Sequence, residues 1–460
     1  MIPLRLLQLL EDLRSSYWFV PAVMAVVALL LGAGAVYVDV TIGSDWLSGL
    51  SWYQSNKPDG AQQVLSTIAG SAITVAGVVF SITIASVSYA ASQYGPRVLT
   101  NFMSDRGNQV TLGTFIATFL YCLVVLRTIR GGDDNEFVPD LAVILALVLA
   151  VCSIAVLIFF VHHVPRSIHV NTIAAGIGRE LLESMESRFP DFIGDGPEDD
   201  QPGADAVPVP LRAHRLRPRP GVSPVRSPAI GYVEAIDDER LMQIATRSDL
   251  VLRLDYRPGD YIDTASNFAL AWSHERIADE TLNALRTSFA VSSRRTPVQD
   301  TRFLIDELVE VGARALSPGV NDPFTAVTCL DWLSTALCDA ARRKLPSPYR
   351  LDKEGTLRVI APPLTFAGFV ERGLGQFRQY LASDRIVCLH AFRTIERVAS
   401  ACASRSQVVT LLEEADALLA TARETLGAPL FASVEIAAVE SRRKLSNALA
   451  EFEQAPDGRS

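Results

Sequence analysis

The sequence predicts a membrane α-helical protein: four transmembrane helices followed by a cytosolic α+β domain, a small β-rich unit plus helices. Three observations predict it. Four long uncharged stretches crowd into residues 17–161, and each can cross a hydrocarbon core of about 30 Å. A proline-rich stretch at 189–228 then lacks any hydrophobic period, as a linker does. After it the pattern returns as short strand-like and longer helix-like segments. Mean hydropathy is +0.23, and most of it comes from the first third, so the average hides a two-part chain.

The first span is 17–38 (YWFVPAVMAVVALLLGAGAVYV), and 107–126 and 141–161 pass the same test. The stretch 61–96 is uncharged throughout and longer than a bilayer needs. As a helix it reaches about 50 Å, so it must tilt, break or project beyond the membrane. A cleaved signal peptide is not expected, because the first apolar run is too long and Glu11 and Asp12 precede it. Loop charges set the orientation. Asp39, Asp45 and Asp59 outnumber Lys57 in the first loop, whereas Arg97 and Arg106 mark the second. Arg127 and Arg130 are mixed with Asp133, Asp134 and Glu136 in the third, and Arg166 and Arg179 follow the fourth span. The positive-inside bias places both termini in the cytoplasm and makes the lipid bilayer the first partner.

The domain reading follows: a transmembrane domain with a helical extension over 1–188, a linker over 189–228, a β-rich unit over 229–273 and a mainly helical domain over 274–460. "GYVEAI" and "DLVLRLDY" read as strands around an amphipathic helix "DDERLMQIATRS" with an aspartate cap. "RPGD" places Pro258 and Gly259 where a type II turn wants them. That Pro-Gly-Asp turn between strands resembles the shape of biotinyl/lipoyl-like barrels, without a lysine at its tip to carry a cofactor.

The second span carries a seam: Thr67, Ser71, Thr74, Val78, Ser81, Ala85, Ser88 and Ser92, in alternating steps of four and three. Such steps trace one face of a helix. Small and hydroxyl residues serve helix–helix packing in membranes, and the same stripe repeated in several subunits lines a wet pathway. Tyr94, Pro96 and Arg97 follow as helix stop and interfacial anchor, or as a basic ring at a cytoplasmic mouth. The other distinctive string is "RALSPGVNDPFTA", 314–326. Ser317, Pro318 and Gly319 break one helix, and Asn321 or Asp322 caps the next, which opens on Pro323. A helix–loop–helix corner accounts for all of it. The functional rival is a ligand corner of Arg314, Ser317, Gly319, Asn321 and Asp322 that binds a small anion at the new helix start, or an ion.

Exclusions are few. The net charge of −9 argues against nucleic acid, which needs a concentrated basic face. Cys122, Cys152, Cys329, Cys338, Cys388 and Cys402 form no CxxC pair and read as reduced, buried small hydrophobes. Six histidines show no HExxH, so no metal site or cofactor is expected. No nucleophile elbow or phosphate-cradling loop points to an enzyme.

Through "SVSYAASQYGPRVLTNFMSD" and the string Ser317 to Ala326, the chain resembles a widespread bacterial family of predicted membrane proteins classed as a domain of unknown function. Its members share S-P-G-[hydrophobic]-N-D-P-x-T-A and a serine-rich second span ending in Q-[aromatic]-[small]-P-R, here Gln93 to Arg97. The resemblance covers nearly the whole chain and implies the bacterial inner membrane; it implies no activity and no catalytic residues. Two functional readings stand: a homo-oligomeric channel-like protein with the second helix on its axis, and a membrane-tethered sensor or scaffold using the 314–326 corner.

Overall fold

The computed structural model describes residues 17–42, 57–95, 105–131, 136–188, 207–212, 221–227, 229–343, 347–361 and 363–454. Two compact units divide the chain between Ile173 and Ala174.

The first unit holds four helices long and apolar enough to span a membrane: α1 (Phe19–Ile42), α2 (Pro58–Tyr94), α3 (Arg106–Leu126) and α4 (Asp140–Ser167). α2 does not break. Its 37 residues make a single rod of about 55 Å, opened by Pro58 in the first turn and closed at Gly95 with φ of +113°. α3 packs against each of the other three helices and buries Phe115, Tyr121, Cys122 and Val125. Toward the bundle interior α2 presents Ala61, Leu65, Ala69, Ala72, Ala76 and Val79, small side chains that let backbones approach closely. Outward, Leu30 and Leu31 of α1 and Val151, Ile154, Ile158 and Val161 of α4 are exposed. That is the surface a lipid-facing bundle presents. Cys152 lies on this outer face and is exposed, which corrects its reading as a buried residue: α4 is apolar all round, so sequence alone does not say which side faces in.

The second unit opens with α5 (Val170–Arg188), grouped with the residues that follow rather than with the spans. A Cβ on Gly178 of α5 would collide with the Trp332 ring, and Ser184 Oγ lies 3.0 Å from Thr301 Oγ1. The strands are β1 (Val222–Arg226), β2 (Gly231–Ile236), β3 (Val251–Leu254), β4 (Tyr261–Ile262), β5 (Asn267–Trp272), β6 (Phe289–Ser292), β7 (Tyr349–Leu351) and β8 (Leu357–Ile360). They form a five-stranded sheet of order β1-β5-β3-β8-β7 and a three-stranded sheet of order β4-β2-β6. Only the β3–β8 pairing is parallel. Between the strands lie α6 (Asp238–Arg247) and α7 (Asp279–Arg286), and Asp237 caps α6 by accepting from the Arg240 N–H at 3.0 Å. Gly259 takes φ of +88°, the left-handed second position of the expected turn.

Two boundaries differ from the sequence reading. Residues 222–226, read as linker, form edge strand β1 against β5. Pro224 disguised it, and an edge strand tolerates a residue without an N–H. The β-rich part also extends past 273, because β6, β7 and β8 complete both sheets from segments embedded among helices.

The helical part comprises α8 (Thr301–Ala315), α9 (Pro323–Arg342), α10 (Phe366–Val370) running into a π-helical turn at Glu371–Gly375, α11 (Arg378–Leu381), α12 (Arg385–Ala399), α13 (Arg405–Thr425) and α14 (Ala428–Gln454). Leu304, Leu308, Leu330, Leu333, Phe369, Phe377, Phe392 and Leu411 are buried among them.

Candidate functional site

On α2, all eight seam positions from Thr67 to Ser92 are exposed. The interior seam runs along the opposite side of the same helix. The other described helices of this chain therefore do not cover Thr67, Ser71, Thr74, Ser81, Ser88 or Ser92. A Cβ added at Gly70 or Gly77, beside the seam, would meet nothing within 4 Å. The hydroxyls are nonetheless satisfied within the helix. Thr67 and Thr74 donate to the Gln63 and Gly70 carbonyls at 2.7 Å. Ser81 donates to Gly77 O at 2.9 Å and Ser92 to Tyr89 O at 2.8 Å. This back-bonding lowers the cost of placing a hydroxyl against an apolar neighbour. Tyr94 closes the helix half-buried; Pro96 and Arg97 lie outside the described residues.

Past the seam, Asp105 caps α3 through the Gly107 N–H at 2.8 Å and pairs with His163 Nε2 at 2.7 Å. Phe159 stacks on that imidazole. Within the bundle, Thr118 and Ser153 pair at 3.0 Å.

The 314–326 corner is built as a helix junction. Ser317 Oγ donates to Arg314 O at 2.6 Å, and the Asp322 N–H donates to Ala315 O at 2.8 Å. Asn321 takes φ of +49°, a conformation asparagine accepts better than most residues. Asp322 caps α9, with its Oδ1 accepting from the Thr325 N–H at 3.2 Å and its Oδ2 from Thr325 Oγ1 at 2.6 Å. The Arg314 guanidinium turns back to Glu310 at 3.3 Å. Gly319 is exposed with open space around it. Chain geometry thus keeps these residues adjacent, but the Asp322 carboxylate occupies the helix start that an anion would need.

Sequence reasoning missed an ion network joining the turn at 257–260 to α8 and the π-helical turn. Asp300, almost fully buried, pairs with Arg295 at 2.5 Å and with Arg302 at 3.2 Å. Arg302 also reaches Asp260 at 2.9 Å. Asp306 accepts from Arg372 at 2.6 and 2.7 Å and pairs with Arg295. Burial would raise the Asp306 carboxyl, but Arg372 and Arg295 hold it below its ordinary value. Arg257 is pushed below its usual range by burial and by the neighbouring Arg302. The spacing 295, 300, 302, 306, 372 carries no motif, so only the fold assembles it. Among the described residues, no three His, Cys, Asp or Glu side chains gather as a metal ligand set.

Four apolar helices followed by a mixed sheet-and-helix unit define a polytopic membrane protein with a substantial extramembrane part. The family model of predicted membrane proteins designated DUF2254 matches residues 14–397, and the chain belongs to that family. It is similar to the uncharacterized proteins Mb1321c of Mycobacterium bovis and Rv1290c of Mycobacterium tuberculosis. Each is 31% identical over 410 residues, covering 88% of this chain and 75% of the relative. No solved structure matches.

Proposed function

We propose that the protein is a homo-oligomeric, channel-like protein of the bacterial inner membrane. In this reading α2 of each subunit flanks a common axis, both termini lie in the cytoplasm, and the cytosolic second unit acts as the gate. One observation carries it: the hydroxyl seam of α2 points away from the chain's own described helices, with Gly70 and Gly77 open beside it. Another copy's helix or an aqueous axis suits such a face better than acyl chains do. The permeant species is a small ion, and the reading includes no catalytic activity and no nucleic-acid partner.

Disulfide cross-linking of Thr74→Cys and Ser81→Cys in native membranes tests the assembly, and planar-bilayer recording of the purified protein tests conduction. Cross-linked oligomers with a salt-dependent conductance are expected. A monomer in mild detergent and in membranes, with no conductance under varied salt, pH and voltage, would sink the proposal. The sensor reading has less support, because the Asp322 carboxylate already caps α9. Thermal-shift screening with phosphates and nucleotides, repeated on Asp322→Ala and Arg314→Ala, discriminates the two.

A further inference from the structure

At the end of the bundle where α1 finishes and α4 begins, two buried carboxylates meet. Asp39 is 6% exposed and Asp140 is 4% exposed. Asp39, in the last turn of α1, caps α4 from a different helix. Its Oδ1 accepts from the Leu141 N–H at 3.2 Å and its Oδ2 from the Ala142 N–H at 3.0 Å. Asp140 is the first residue of α4, and its Oδ1 is buried without a hydrogen-bond partner. The fully buried Tyr121 hydroxyl donates to Ala142 O at 2.9 Å, which brings a phenol oxygen to the same turn.

Charge at this end does not balance. The N-terminus of α4 offers roughly half a positive charge, and Asp39 already takes it through two N–H groups. No lysine, arginine or histidine among the described residues forms an ion pair with either carboxylate. An acceptor-only oxygen buried beside a second carboxylate is unstable unless a cation or a proton reaches it. A shared proton would appear as a hydrogen bond joining the two side chains, and none links Asp39 to Asp140. The donors are all oxygen, the set that hard cations select.

We propose that Asp39 and Asp140, with the Tyr121 hydroxyl oxygen, bind a hard divalent cation, calcium or magnesium, that ties the end of α1 to the start of α4. The site eluded motif reading because its carboxylates are a hundred residues apart and each looks like an ordinary flanking charge of an apolar span.

The test uses the full chain in detergent, stripped with a chelator. Millimolar calcium or magnesium is expected to raise the unfolding temperature by about 3 °C. Terbium should bind with luminescence sensitised by Tyr121, displaced by calcium and weakened in Tyr121→Phe. Asp140→Asn, which keeps the side-chain shape, should fold without metal and lose both responses. Asp39→Asn also removes the α4 cap, so Asp140→Asn is the deciding variant. Three results would overturn the proposal: a wild type indifferent to divalent cations, a wild type stabilised only by acid, or terbium binding unchanged in Asp140→Asn.

Discussion

The two units satisfy their polar side chains by opposite means. On α2, a hydroxyl reaches the carbonyl of its own helix one turn back, as Thr67, Thr74 and Ser81 do. In the second unit, carboxylates reach across elements: Asp306 joins α8 to the π-helical turn through Arg372, and Asp300 holds Arg295 and Arg302 together. The solvents explain the contrast. A charge network facing hydrocarbon is costly, so a lipid-side helix relies on short neutral bonds that need no partner. A domain in water can use arginine forks to fix loops that its small sheets leave loose. Local bonds leave the face of α2 free to change neighbours; the ion network commits the turn at 257–260 to one place.

The largest expected effect comes from breaking that commitment. Asp300→Ala strands Arg295 and Arg302, both largely buried, and should destabilise the second unit by about 4 kcal/mol in denaturant unfolding. On the membrane side, the contrast within α2 itself is sharper. Ala76→Leu enlarges the buried seam and should cost about 2 kcal/mol by overpacking. Thr74→Leu, on the exposed seam, should change the stability of the isolated subunit by less than about 0.5 kcal/mol while disrupting assembly under the proposed function. Equal losses in the two variants, read by thermal unfolding and size-exclusion light scattering, would erase the distinction between the faces.

Acid should separate the units next. Because the folded Asp306 carboxyl titrates below its ordinary value, its stabilisation is complete above the unfolded value of about 3.9. It is lost as pH falls through the folded value. Unfolding of the second unit followed below about pH 4 should steepen with acid, and Asp306→Asn should remove part of that slope. The smallest effect belongs to the surface pair of Arg423 and Glu435, 3.2 Å apart with both side chains largely exposed. Arg423→Ala should cost no more than about 0.5 kcal/mol, which sets the scale against which the buried network counts.

The spans were legible because a bilayer imposes length and polarity on every residue of a crossing helix. The steps of three and four exposed the α2 seam for the same reason, and the Asp237 cap and the turn at Gly259 are local chemistry. Burial direction was not legible: α4 is apolar on all sides, so nothing marked Cys152 as outward. Strand β1 hid because Pro224 reads as a breaker until its edge position is known, and β6 to β8 are too short to stand out between helices. The Arg295–Asp300–Arg302–Asp306–Arg372 network and the meeting of Asp39 with Asp140 depend on long-range pairing, which no window of sequence contains.

The unbroken length of α2 carries a mechanical corollary. A rod without a joint cannot turn at one tip and stay put at the other, so a rotation begun near Gly95 re-aims the whole row of hydroxyls in step. Control of that row then needs only a small torque at one terminus, and no rearrangement within the hydrocarbon.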